Sequence, residues 1–219
     1  MTRSNFSLIL GVVLVAAHSF VAHAADAQQY EVSVPGISSV VMVRVPPAFR
    51  PAATAAEASA RQSLIKALQT NPLGKAVVSE TFSTDWTRPT MLPVLYIGTL
   101  PSTERAQGNF TADYWSKAKE MFTQQAKLSV ITLRQQMLTY GLADPGDTMS
   151  RAIAGADPNT VILFGFAPTG KASDAPAILV ARKLKYVRKS IVLFEAGVDA
   201  SAPGAMATLD YIIRTVDAP

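Results

Sequence analysis

The chain has no cysteine, and its only two histidines, His18 and His23, lie within the first two dozen of 219 residues. That stretch opens Met1-Thr2-Arg3, carries no acid before Asp26, and holds an unbroken apolar run from Leu8 to Ala17. It closes on Ala22-His23-Ala24, the small-x-small pattern that signal peptidase accepts. A basic start, a short apolar middle and a small-residue exit define a secretory signal, with cleavage expected after Ala24. A membrane span needs roughly 20 apolar residues, about twice this run. No cysteine follows it, so a lipoprotein-type acyl anchor is excluded. The expected products are residues 1–24, a signal peptide, and residues 25–219, a single globular domain that is periplasmic or secreted, with no transmembrane segment.

Removing the leader removes both imidazoles. The mature chain then lacks the groups for Ser-His-Asp or Cys-His catalysis, thiol redox work, and His- or Cys-ligated zinc or copper. No catalytic residue, metal or cofactor is expected. Disulfides are excluded too, so about 195 residues must hold together through a core, and that length suffices. Nineteen basic and sixteen acidic residues remain. That balance is only mildly basic, and no nucleic-acid partner is expected. The oligomeric state is left open.

Tyr30–Val34 and Val40–Val45 read as strands, the second stopped by Pro46-Pro47. Thr54–Gln69 reads as a helix with Thr54 as N-cap, ended by Asn71-Pro72. Ala76–Phe82 and Val94–Thr99 read as strands joined by a Pro-rich loop. Thr111–Tyr140 is the longest helical stretch. Tyr114, Trp115, Ala118, Met121 and Phe122 share one face. Val130, Leu133, Met137 and Tyr140 continue it at shifted phase, which suggests a kink or two helices, or even a disguised strand at Ser129–Leu133. A short helix follows near Thr148–Ala154. Val161–Phe166 is apolar on both faces and reads as a central strand. Ala177–Tyr186 and Ser190–Ala196 form a hairpin, and Gly204–Arg214 a closing helix. Strands that cluster in hairpins favour an α+β class: a mainly antiparallel sheet of about 5–7 strands, packed by a long central helix pair and a C-terminal helix.

This element order resembles the PsbP/Mog1-like fold across Tyr30–Val216. The local texture that carries it is the strand ending in Pro46-Pro47 before Phe49, the helix after Phe110-Thr111, and a last strand leading into Leu209-Asp210-Tyr211-Ile212-Ile213. The resemblance implies an accessory or binding factor rather than an enzyme, and it carries no site residues over.

Several motifs imitate chemistry. Gly165–Lys171 nearly fits a phosphate-binding loop after a strand, but Ala172 stands where the magnesium-binding Ser/Thr belongs. A β-rich run follows in place of the helix whose N-terminus holds the phosphate. Ser63-Leu64-Ile65-Lys66 matches S-x-x-K, yet Ser63 falls deep in a helix and no S-D-N or K-T-G partner exists. Asp144 and Asp147 lack the alternating acids of an EF-hand loop. Asn109-Phe110-Thr111 is a glycosylation sequon that doubles as an ordinary helix start. Glu80 and Glu195 are the two acids inside expected strands.

Two surface candidates remain. Arg182, Lys183, Lys185, Arg188 and Lys189 crowd one hairpin with no acid between them. Alternation places Lys183 and Lys185 on one face and Arg182, Leu184 and Tyr186 on the other. The patch is a candidate dock for an anionic envelope component or an acidic protein, set against the plainer role of protecting a sheet edge. Replacing its lysines and Arg188 with Ser is expected to leave folding intact. Trp86 and Arg88 make a candidate recognition loop, set against Trp86 folding down as a lid on the core. The leading expectation is an exported, non-enzymatic binding or accessory factor. The alternatives are a periplasmic hydrolase using carboxylates or a Ser/Lys pair, which needs a pocket holding such groups together, and a structural subunit of an envelope assembly, which needs a large exposed apolar patch.

Overall fold

Alternating and doubly apolar runs give this chain its strands, and they assemble as two antiparallel sheets in the computed structural model. It describes residues 27–69, 77–87, 93–100, 112–139, 141–142, 144–154, 157–168 and 177–219. Strands β1 (Gln28–Val32) and β2 (Val41–Val45) form a two-stranded sheet. The larger sheet takes β3 (Arg50–Pro51), β4 (Val77–Ser83), β5 (Val94–Thr99), β6 (Thr160–Pro168), β7 (Ala177–Val187) and β8 (Ser190–Asp199), in the order β3-β4-β5-β8-β7-β6. Four helices complete the described fold: α1 (Ala55–Gln69), α2 (Ala112–Thr139), α3 (Thr148–Ala154) and α4 (Ala205–Thr215). The class is α+β with antiparallel pairing throughout.

Thr54 caps α1 as its sequence suggests. The Glu57 amide donates to Thr54 Oγ1, and the Thr54 amide donates back to Glu57 Oε2, both at 3.2 Å. This reciprocal box satisfies donors that a helix start leaves orphaned. Arg50 grips the same carboxylate through both terminal nitrogens, at 2.7 and 3.1 Å. That grip, with the Ala53 and Thr54 amides, holds the Glu57 carboxyl down at about 2.

The large sheet is covered on both faces. Even-numbered β8 residues, Val192, Phe194, Ala196 and Val198, meet Leu209, Ile212 and Ile213 of α4 and valines of β1 and β2 in one core. Odd-numbered Ile191 and Leu193 face the other way, toward Trp115 and Ala126 of α2. On that second face, Ala60 and Ile65 of α1 pack near Trp86, Val94 and Tyr96.

The stretch expected to kink or to form a helix pair is one continuous helix of 28 residues. Trp115, Ala118, Ala126, Leu133 and Met137 are buried, with Phe122 and Ser129 half-buried between them. These positions recur every three or four residues, so a single stripe runs its whole length and no break is required. Met121, expected on that stripe, faces solvent instead. The helix lies along the sheet margin: Leu133 and Met137 join the core on one face, Trp115 and Ala126 the core on the other. At the crossing, the Phe164 amide of β6 donates to Ser129 Oγ at 3.3 Å. Among the described strands β6 is an edge strand rather than a central one. Its two apolar faces are buried because α2 covers the margin, one of the standard protections of a sheet edge.

Candidate functional site

The basic hairpin is where the sequence pointed, and strand alternation divides it as expected. Its surroundings differ, because β7 is an inner strand with layers on both faces. Arg182 and Lys183 are each only 7% exposed. Arg182 pairs through Nε with Oε2 of Glu195, its cross-strand neighbour on β8. The row continues: Glu195 lies opposite Tyr96, and Tyr96 opposite Thr81. Thr81, Tyr96, Glu195 and Arg182 thus form one buried polar line across four strands. Burial pushes the Glu195 carboxyl up, against the opposing pull of Arg182. Burial also drives the Tyr96 phenol up, and the Glu195 charge adds to it.

On the opposite face, Lys183 and Lys185 reach the C-terminal tail. Lys183 Nζ donates to the Val216 carbonyl at 2.8 Å and lies 3.3 Å from Asp217 Oδ1. Lys185 Nζ sits 2.8 Å from the same oxygen. Asp217 Oδ2 takes Arg44 at 3.3 Å, and Arg44 and Asp217 also exchange both backbone hydrogen bonds. The tail is clamped as a short addition to β2, with Val216 and Ala218 fully buried beside it. Burial pushes the Asp217 carboxyl up, but the Lys185 hydrogen bond and the two lysine charges outweigh it and hold the group below the usual carboxylate range. Burial pushes the Lys183 ammonium down, against the pull of Asp217.

The docking patch is corrected accordingly. Arg182, Lys183 and Lys185 are internal ion-pair partners, and only Arg188 and Lys189 at the turn are exposed. Arg188 there donates to Ser39 Oγ at 2.6 Å. Replacing Lys183 and Lys185 with Ser would strip a carboxylate clamp rather than a surface. Asp217→Asn should cost about 2 kcal/mol at pH 7, the usual worth of hydrogen bonds to a charged group. The folded-state pKa is depressed, so this contribution is in place above about pH 4 and is lost as pH falls through the folded value. Urea denaturation at pH 7 and pH 2.5 should show wild type and variant converging in acid.

Trp86 is folded into the core, with Nε1 donating to the Arg50 carbonyl at 3.0 Å. Arg88 lies outside the described residues. Gly165–Pro168 runs within β6, paired to β7 from Gly165↔Val180 to Pro168↔Ala177, and the rest of that motif lies outside the described residues. Ser63 is exposed on α1 and donates to the Ser59 carbonyl, and the side chain of Lys66 lies outside the described residues. Asp144 is paired with Arg134 at 2.5 Å and Asp147 starts α3. No group of three or more acids fit to hold a metal exists among the described residues. Asn109 lies outside them.

A cleft of about 290 Å³ opens between α2, α3 and the start of β6, lined by Lys119, Thr123, Ile153, Asp157 and Thr160 among others. Its ionic groups are occupied by the turn that builds it. Lys119 donates to the Pro158 carbonyl. Asp157 accepts the Asn159 amide at 2.7 Å and the Thr160 hydroxyl at 2.8 Å.

The feature that sequence reading missed lies on the outside of α2. Met121, Leu128, Ile131 and Leu138 are between 52% and 64% exposed. With exposed Gln124 and Gln135 they fall at alternating gaps of three and four residues, on the side of the helix opposite the buried stripe. That is the spacing of a coiled-coil seam. The helix thus carries a second, partly apolar row besides the one that faces its own core. No helix of the described residues is long and apolar enough to cross a membrane. Comparison with known proteins finds no matching family model, no matching curated protein and no matching solved structure.

Proposed function

We propose that the chain is an exported, non-enzymatic binding or accessory protein of the cell envelope that engages a protein partner through the outer face of α2. The observation that carries this reading is the row Met121, Leu128, Ile131 and Leu138, large apolar side chains more than half exposed on one rigid helix. Several large apolar side chains kept in water on one helix face support an interaction site more than a catalytic one. The leader Met1–Ala24 supports export, and the lack of imidazole and thiol beyond it supports a role without nucleophilic catalysis. The PsbP/Mog1-like resemblance in element order leans the same way. The hydrolase alternative finds no support among the described groups, because Glu195, Asp157 and Lys119 are each held by structural partners.

A photoreactive phenylalanine analogue placed at Leu128 or Leu138, and at exposed Ala207 on α4 as control, tests this in cells that make the protein. The two α2 positions should form discrete protein adducts and Ala207 none. Equal labelling at all three positions, or none at any, would remove the α2 face as the working surface.

A further inference from the structure

We infer that the outer face of α2 pairs with a second copy of itself, antiparallel, about a two-fold axis passing between Leu128 and Ile131. This rests on the reading of that face as a docking surface and names its occupant.

The seam runs Met121, Gln124, Leu128, Ile131, Gln135, Leu138. Its chemistry reads the same from both ends: apolar, amide, apolar, apolar, amide, apolar. A two-fold interface uses one patch twice and must match itself under reversal. Antiparallel pairing sets Met121 level with Leu138 of the second copy, Gln124 with Gln135, and Leu128 with Ile131. The two amides then meet each other, and each offers both a donor and an acceptor. An unrelated apolar helix would leave both of them buried and unsatisfied.

The flanks allow the approach. On one side stand exposed, uncharged Gln125, Thr132 and Thr139. On the other stand Lys127 and Arg134, and Arg134 is already neutralised by Asp144 of its own chain at 2.5 Å. The same register sets Lys127 of one copy level with Thr132 of the other, two residues from its Arg134–Asp144 pair, and two bare cations do not meet. The size also fits. The seam is about 26 Å long at the rise of an α-helix. Its apolar part exposes on the order of 400 Å², and the flanking side chains extend it toward the roughly 800 Å² per partner of a standard interface. Ser129, bonded to β6 at the middle of the helix, fixes the seam in place before any partner arrives.

The mature chain from Ala25 should sediment as a dimer. Leu128→Glu with Ile131→Glu, both at exposed positions, should weaken dimerisation at least about a hundredfold while leaving the far-ultraviolet circular dichroism unchanged. The chain has no cysteine of its own, so introduced thiols report geometry cleanly. Gln124→Cys mixed with Gln135→Cys should form a disulfide-linked pair, and neither variant should do so alone. A dimer that links Gln124→Cys to itself overturns the antiparallel arrangement. A dimer indifferent to the paired glutamates overturns the site. A wild-type chain that stays monomeric at millimolar concentration overturns the second copy, and if Leu128 still photolabels another protein, the docking reading stands without it. Monomer and absent labelling together bring down both.

Discussion

Glu195→Leu should destabilise the fold by about 3–5 kcal/mol, the range for removing one partner of a buried ion pair. The change takes the Glu195 carboxylate from Arg182, which is buried on β7 opposite Leu163 of β6. The companion change Arg182→Met with Glu195→Leu removes both charges and keeps apolar volume. It should fold within about 1 kcal/mol of wild type, since a buried pair costs nearly as much to desolvate as it returns. Arg182→Met alone falls between, with a pH signature. Burial already raises the Glu195 carboxyl above its ordinary value, and losing Arg182 raises it further. A carboxyl with a raised folded pKa binds its proton more tightly in the native state. Stability of this variant should therefore be greatest in acid and fall as pH rises above about 4.3, the unfolded value. Urea denaturation of all four proteins between pH 4 and 8 closes the double-mutant cycle. A single variant as stable as wild type would show that the buried line is a bystander.

Much of the fold was legible because local rules decided it. Val94–Thr99 and Thr148–Ala154 form the expected elements residue for residue, and Thr54 caps α1 through its hydroxyl, which accepts the amide of Glu57 three positions on. The β7–β8 hairpin follows from two apolar runs around a two-residue turn, although Arg188 and Lys189 must both adopt positive φ to make it. Strand β6 was misplaced for a physical reason. Two apolar faces report burial on both sides, and burial does not distinguish a hydrogen-bonded neighbour from a helix laid along the margin. Similarly, the apparent phase shift in α2 came from reading two stripes as one. Met121 belongs to the outer row and Trp115 to the inner, and a helix carrying both loses the contrast that locates its core.

The candidate site was less legible, since its meaning depends on distant residues. Alternation assigned Lys183 and Lys185 to one face of β7 correctly, but a strand's own sequence does not say what covers that face. Their partner, Asp217, stands more than thirty residues away in a tail with no pattern of its own. Consecutive cations look like a solvated patch until the carboxylate that neutralises them is located. The long aliphatic stems of lysine and arginine permit such burial, with the apolar part packed and only the charged end needing a partner.

Gly98→Ala should cost more than about 3 kcal/mol, above the ordinary cost of overpacking a core. Between Val78 and Glu80 the register of β4 against β5 slips by one residue, a bulge. A bulge pushes two residues of one strand against one of its neighbour, and here the single residue is Gly98. A Cβ built on it would lie 2.1 Å from the Val77 carbonyl oxygen and 3.0 Å from the Val78 Cα. Both are backbone atoms, so no rotamer change relieves the clash and the strands themselves must separate. The bulge is also tied on its outer side, where Arg61 donates to the Ser79 carbonyl at 3.1 Å and pairs with Glu80 at 3.1 Å. Backing away from an alanine would therefore pull against α1 as well as the ladder. Gly204→Ala makes the contrast: nothing lies within 4 Å of its added carbon, and its cost comes only from a φ of +72°, about 1 kcal/mol. Thermal and urea unfolding of the two variants side by side should separate them by at least about 2 kcal/mol. Equal losses would mean that β4 can move off β5 at no cost, and that the bulge does not fix the register of the sheet.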